Sequence, residues 1–307
     1  MEADPPTVSV VIPMRNAEPW IVETLGSIAA QTTTVHECIV VNDGSTDEGP
    51  DLVRRFAAHA PFGVTVVDGP CTGVAAARNR GIAVATGGLI ALMDADDLWH
   101  PDKIERQVDH LMATGASVSV CGYEMFPNGR QGSRWAVMHR GATETIGRWL
   151  AMEGDGLAVS STALIRREVL DSVGLFDPSF SVSADLEFMV RAAPRVEVVI
   201  LSEVLCEYRL HPGQMHHRTA DLIHDAARLH RALEERDPRF ATRCHANRYA
   251  HHGYRLLLEG DWAGGCRELF HAVRARPAAV VRIPLFAVGR RLLRYRQGRR
   301  RAVMAGA

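Results

Sequence analysis

From residue 7 to residue 112 the chain alternates between two patterns. Residues 7–12 (TVSVVI), Cys38–Val41, Val64–Val67 and Leu89–Met93 are short apolar runs, mostly β-branched. Runs of that length and continuity fit strands buried on both faces, as in a parallel sheet. Pro13 ends the first of them. The stretches between carry helical signals. Pro19 opens a helix with Ile21, Leu25 and Ile28 on one face, and Asp47 caps another running to about Ala58. An alanine-rich helix spans Gly73–Ala85 before Gly87-Gly88, and a fourth runs from about Pro101 to Met112. Strands alternating with helices predict an α/β fold with a doubly wound, mostly parallel sheet.

Beyond this point the pattern is less regular. Ser117–Met125, Ala163–Ile165, Val196–Leu201 and Glu203–Leu210 read as strands, Gly174–Pro178 as a turn, and Asp185–Ala193 as a short helix. From Ala220 the chain reads as helices at about 220–236, 241–259, 262–275 and 279–297. The expected division is an α/β domain over 1–215 and a helical region over 216–307.

Composition adds little to this until it is resolved along the chain. The 307 residues are 47% hydrophobic and 23% charged, with net charge −1, as in an ordinary globular protein. After Glu268, however, there are ten arginines and no acidic residue. Within Pro284–Gly298, Leu285, Val288, Leu292 and Tyr295 fall on one side of a helical wheel and Arg290, Arg291 and Arg294 on the other. That is a basic amphipathic helix, suited either to peripheral contact with an anionic membrane or to packing on the domain with a solvated basic face. Nucleic acid is not expected as a partner, because aromatic interleaving is nearly absent. Six scattered cysteines without C-x-x-C or zinc spacing suggest reduced thiols and a cytoplasmic protein. The acidic N-terminus gives no sign of a signal peptide, and no apolar run reaches eighteen residues.

The candidate chemistry centres on Leu89–Trp99, LIALMDADDLW. Asp94, Asp96 and Asp97 follow a buried strand, where crowded carboxylates repel and lose hydration unless a cation or donors sit among them. Alternation puts Asp94 and Asp96 on one side, and hard oxygen ligands favour Mg²⁺ or Mn²⁺ over zinc. The plainer reading is a polar turn in which Asp97 caps the next helix. Arg15 and Asn16 follow the first strand and Asp43 the second, so three loops share one sheet edge and imply a single ligand crevice. No G-x-G-x-x-G follows the first strand and no G-x-x-x-x-G-K-[ST] occurs, which argues against a dinucleotide fold and a P-loop.

Several segments in order resemble the family-2 glycosyltransferases over roughly residues 7–215. VSVVIPMRN is similar to the family's opening strand, with Arg15 where an aromatic is common. IVVNDGSTD resembles the segment that holds the nucleotide base. Gly73–Gly81 resembles the G…ARN.G helix beside the diphosphate, and LMDADDLWHPDKIE the metal and ribose segment. VGLFDPSF with SADLEFMVR is similar to the G-F-D turn and Glu-Asp helix, with Ala184 in place of the usual Glu. YRLHPGQMH resembles the closing Y-R-x-H element.

The resemblance implies the GT-A nucleotide-diphospho-sugar transferase fold and an inverting transfer from a nucleoside-diphosphate sugar, expected to be UDP-linked. The acceptor would be a glycan, lipid-linked or small-molecule hydroxyl. It assigns Pro13, Arg15, Asn16 and Asp43 to the nucleoside, Arg78 to the diphosphate, and Asp94 and Asp96 to ribose and metal. Asp96, Asp97 and His211 become the metal set, and Asp185 the general base. Each has a plainer alternative: Asp43 a turn residue, Arg78 a helix-surface cation, His211 a structural histidine, Asp185 a helix cap. Trp99 is read as a packing residue and Ser160–Thr162 as lining the acceptor side. A sugar-nucleotide pyrophosphorylase is disfavoured because Pro13–Trp20 holds no glycine. An inactive nucleotide-sugar-binding scaffold is the rival, favoured by Ala184.

Overall fold

The computed structural model describes residues 6–69, 71–128, 134–137, 146–147, 150–151, 159–215, 219–234, 237–258 and 260–281. The expected helix at 279–297 therefore falls almost wholly outside the described residues, and the amphipathic segment Pro284–Gly298 entirely so. The chain forms two compact units, Met1–Thr143 with Leu157–Pro212, and Glu144–Gly156 with Gly213–Ala307.

The first unit is a nine-stranded sheet. Its strands are β1 (Val8–Met14), β2 (Glu37–Asn42), β3 (Gly63–Asp68), β4 (Leu89–Leu92), β5 (Leu98–Trp99), β6 (Val118–Pro127), β7 (Trp135–Val137), β8 (Ala163–Arg166) and β9 (Val198–Leu210). They lie in the order β3-β2-β1-β4-β8-β6-β9-β5, with β7 beside β6. The longer ladders are parallel and the short ones antiparallel, so the sheet is mostly parallel. Helices α1 (Ile21–Ala29), α2 (Gly49–Ala57), α3 (Val74–Val84), α4 (Lys103–Thr114), one-turn α5 (Val159–Thr162), α6 (Arg167–Val173) and α7 (Ala184–Ala192) complete it.

Both faces of the parallel half are covered, which is why its strands are continuous apolar runs. Val10, Ile12, Met14, Cys38 and Val40 pack with Ile21, Leu25 and Ile28 of α1 in one core. On the opposite face Gly81 of α3 sits directly on the sheet: a Cβ there would lie 2.5 Å from Val11 Cγ1 and 3.1 Å from Val41 Cγ2.

Three elements differ from the sequence expectation. β1 continues through Pro13, which pairs in register with Val41. The β1–β4 ladder ends at Val11–Leu92, so the strand is flanked on one side only at the proline, where a missing N–H is tolerated. Val196–Leu201 and Glu203–Leu210 are joined into the single strand β9, with register shifts against β6 at Cys121–Tyr123 absorbing the break. β5 is an unexpected strand, held by pairing with Cys206 and Glu207 of β9.

In the second unit, α8 (Thr219–Glu234), α9 (Pro238–Leu258) and α10 (Trp262–Ala275) are helical, as the sequence indicates. A Cβ on Gly265 of α10 would lie 2.6 Å from Leu257 Cγ, and one on Gly253 would lie 3.0 Å from the Gly265 carbonyl. The two helices thus approach closely, around buried Ala246, Ala250 and Ala272. Among the described residues no helix is long and apolar enough to cross a membrane.

Candidate donor site and catalytic carboxylate

The order 3-2-1-4 reverses direction between β1 and β4, and in open α/β sheets ligands bind outside the strand ends at such a switch point. The loops after β1, β2 and β4 converge there. Asp43 N donates to Met14 O (2.8 Å), Asn16 N to Ser45 Oγ (3.1 Å) and Thr46 N to Asn16 Oδ1 (2.8 Å). Asn16, at φ 52°, therefore braces the β1 loop against the β2 loop, while Arg15 is exposed and Pro13 buried within its strand.

Asp43 is buried. Its Oδ2 accepts from Gly73 N (2.9 Å), and its Oδ1 has no hydrogen-bond partner. A buried carboxylate oxygen without a donor is costly, so this oxygen has unused capacity to accept a hydrogen bond. Gly69 leaves it room, since a Cβ there would stand 3.0 Å from Oδ1.

Helix α3 shows what the A-R-N-x-G spacing does. Arg78 Nη2 donates to Asp94 Oδ1 (2.8 Å), and its buried Nε is unpartnered. Asn79 bonds both backbone groups of Phe176, donating to O (2.8 Å) and accepting from N (3.0 Å). Gly81 meets the sheet. One turn of helix thus presents a cation, anchors the turn before α7 and permits close packing.

The three aspartates separate into different environments. Asp94 is half-buried, accepting from Arg78 and from Ser160 Oγ (2.6 Å). Asp96 is half-buried, with Oδ2 2.8 Å from His211 Nε2. Asp97 is fully buried: Oδ2 accepts from Ser161 Oγ (2.5 Å) and Oδ1 from Arg209 N (3.0 Å). Burial, followed by the charges of Asp96 and Asp94, pushes the Asp97 carboxyl well above the usual range. Both Asp97 oxygens are thus spent inside the protein. It neither caps α4, whose N-cap is Asp102, nor turns an oxygen toward a ligand, so it fits an internal brace better than the expected metal role.

Clamps reach this loop from distant elements. Thr24 Oγ1 of α1 donates to Ala95 O (3.0 Å) and Asp97 O (2.9 Å). Arg209 Nε donates to Asp96 O (2.7 Å), and its Nη2 to Glu23 (2.7 Å). Trp20 stacks on His211 with ring centroids 3.9 Å apart. Ser160 and Ser161, expected at the acceptor side, instead hold Asp94 and Asp97. Trp99 is a packing residue: its Nε1 donates to Ser161 O (2.8 Å), and Lys103 Nζ lies 4.0 Å from its ring centroid. Sequence reasoning missed the clamps at Thr24, Arg209 and Trp20. The one local signal was a cation, Arg209, two residues before His211 in a segment set beside three carboxylates.

Asp96 and His211 offer one carboxylate and one imidazole side by side, and no group of three metal-ligating side chains occurs among the described residues. This donor set fits a divalent cation such as Mg²⁺ or Mn²⁺ that takes its remaining ligands from substrate phosphates and water.

Asp185 stands at the start of α7. Its Oδ1 accepts from Leu186 N (2.8 Å), and Ser183 occupies the N-cap. Burial pushes its carboxyl up to about 6, with nearby Arg78 opposing and Asp94 adding to the rise. The competing acids are engaged. Glu187 is bound by Arg191 (2.6 and 2.9 Å), which also donates to Val173 O and Leu175 O (both 2.7 Å). Asp177 closes its own turn on Ser179.

A glycosyltransferase of Nostoc sp., alr2836, is 29% identical over 214 residues, 68% of this chain and 66% of that one. The match to the next two curated relatives spans 48% and 33% of their length. Among solved structures, Staphylococcus aureus TarS 1–349 superposes with a TM-score of 0.62 at 17% identity, over 95% of this chain and 92% of that one. TarS has also been solved with UDP-GlcNAc. The mannosyltransferase PcManGT of Pyrobaculum calidifontis, in complex with GDP-Man and Mn²⁺, gives 0.60 at 24% identity, over 97% and 84%. These likenesses establish the GT-A fold. The model of the family described as glycosyl transferase family 2 matches residues 9–174, more than half of the chain. With β1, the Asp43 loop, the A-R-N helix, the aspartate loop and the turn before α7 all inside or bordering that match, the chain belongs to glycosyl transferase family 2 and is a glycosyltransferase.

Proposed function

We propose that this glycosyltransferase is inverting and moves a sugar from a nucleoside-diphosphate sugar, UDP-linked in the first instance, to a hydroxyl of a glycan, lipid-linked or small-molecule acceptor. The observation that carries the reading is the state of Asp185. Unlike Glu187, which Arg191 holds, it is bound among the described residues only by backbone N–H at the α7 start, and burial pushes its carboxyl up to about 6, suited to a base at neutral pH.

As the acceptor oxygen attacks the anomeric carbon, its proton passes to Asp185. The bond from that carbon to the diphosphate oxygen breaks, and its electron pair leaves with the diphosphate. A single displacement inverts the centre and needs no enzyme nucleophile. Arg78, with Nε unpartnered, offsets diphosphate charge while its Nη2 holds Asp94 beside the ribose. Asp96 and His211 would hold Mg²⁺ or Mn²⁺, which as a Lewis acid stabilises the departing diphosphate. Asp97 keeps those two in place through Arg209 and the β9 backbone. The nucleoside lies against the Pro13–Arg15 loop, with Asn16 fixing that loop. Asp43 Oδ1 can accept a base N–H, and the ring N–H of uracil, thymine or guanine fits this role, in keeping with a UDP-linked donor.

Calorimetric titration with UDP and Mn²⁺ tests the donor site. Asp96→Ala and His211→Ala are expected to lose metal-dependent binding while the melting temperature holds, and excess EDTA is expected to do the same to the wild type. Undiminished binding or activity in EDTA rejects the metal assignment. The scaffold reading wins if UDP-GlcNAc and GDP-mannose bind with Mn²⁺ but neither is hydrolysed or transferred.

A further inference from the structure

Helix α10 of the second unit carries an unusual outer face. Trp262 is 69% exposed, Phe270 58% and Val273 44%, and Cys266 between them is also exposed. At about 100° per residue these four fall within about 80° of the helix circumference. The opposite face is fixed inward. Gly264, Gly265 and Ala272 are buried, and Gly265 lies too close to Leu257 to admit a Cβ. The helix therefore cannot roll to hide its aromatics without lifting off α9.

Charge flanks the stripe with one sign. Arg267 and Arg274 are exposed beside it, and the Arg274 guanidinium lies 5.9 Å from the Phe270 ring centroid. The acids of this segment are engaged: Asp261, exposed at the N-cap, accepts from Gly264 N (2.9 Å), and Glu268 faces His252 (3.5 Å). No acidic residue follows Glu268 in the sequence.

We propose that α10 lies in the plane of an anionic lipid surface, with Trp262, Phe270 and Val273 entering the headgroup boundary and Arg267 and Arg274 on lipid phosphates. Aromatic residues beside arginines on one helix face match an interfacial membrane helix. A second copy of the chain fits less well, because a two-fold contact on this stripe brings like arginines together. The proposal is independent of the donor-site reading, and it concerns a different segment from Pro284–Gly298.

Vesicle flotation of the full chain tests it, using phosphatidylcholine vesicles with and without phosphatidylglycerol. The wild type is expected to float with the anionic vesicles and not with the neutral ones. Trp262→Ser/Phe270→Ser, with the C-terminal segment intact, is expected to lower partitioning by about tenfold per aromatic. Arg267→Gln/Arg274→Gln is expected to lower it by roughly fivefold per arginine. All four side chains are exposed, and circular dichroism melts check that folding is unchanged. The proposal is overturned if the wild type does not float, or if the aromatic variant floats as well as the wild type. A wild-type dimer by light scattering that becomes monomeric in the aromatic variant, without flotation of either, assigns the stripe to self-association and also overturns it.

Discussion

Replacing Asp185 with Asn separates catalysis from stability in opposite directions. Asn keeps the side-chain oxygen that accepts from Leu186 N, so the start of α7 is preserved. It cannot take a proton from the acceptor, and loss of a general base costs 10²–10⁴-fold in rate, as an order of magnitude. Stability moves the other way. The Asp185 carboxyl rises from 3.8 to about 6 on folding, because burial and Asp94 disfavour the charged form more than Arg78 favours it. At about 1.36 kcal/mol per pKa unit, the ionised side chain opposes folding by up to about 3 kcal/mol. Between those two values the folded state binds more protons than the unfolded state, so this contribution lowers stability as pH rises and is constant above the upper value. Asp185→Asn is therefore expected to be more stable than wild type at pH 7.5, with the gain fading toward pH 4. Urea unfolding at a series of pH values measures this, and hydrolysis of UDP-GlcNAc or GDP-mannose with Mn²⁺ measures the rate. In the wild type, kcat/KM should fall on the acid side with a midpoint near 6. The reasoning is refuted if the variant keeps the wild-type rate, or if it is destabilised at pH 7.5, which would show that the folded state favours the charged carboxylate.

Further expectations concern the supports of the site. Gly81→Ala forces a Cβ against Val11 and Val41 and should cost about 1–3 kcal/mol by denaturant unfolding; an unchanged midpoint would show that α3 can shift. Ser161→Ala leaves the buried Asp97 without its Oδ2 partner and should destabilise by roughly 1–3 kcal/mol; a neutral effect would mean that water replaces the hydroxyl there. Asp43→Asn cannot accept from both Gly73 N and a base N–H, so UDP affinity by calorimetry should fall about 10–100-fold with stability nearly kept. An equal loss of ADP and UDP binding would remove the base-reading role.

Much of the fold could be read from the chain because its determinants are local. A strand covered on both faces has to be apolar at every position, so β1, β2 and β4 announced themselves as runs, and amphipathic α1 as a 3.6-residue period. Turn chemistry placed the polar loops at the strand ends, and with them Asp43 and the three aspartates, while Arg78 and Asp185 were singled out by the resemblance to the family's motifs. The roles within that set were decided elsewhere. Asp94, Asp96 and Asp97 are near neighbours in sequence with the same functional group. Asp97 becomes a buried brace because Ser161 and Arg209, 64 and 112 residues further on, deliver donors to its carboxylate, whereas the carboxylate of Asp96 stays half-buried beside His211. Likewise Asp185 and Glu187 are both acids in the first turn of α7, and Arg191, tied to the carbonyls of Val173 and Leu175, claims Glu187. β5 forms only because β9 supplies an edge, and β9 runs unbroken only because β6 accommodates its shifted register. Hydrophobic periodicity records whether a position is buried. Which hydrogen-bond donors, charges and strand edges meet it there depends on chain segments brought together by folding, and that is where tertiary structure gave neighbouring carboxylates different surroundings.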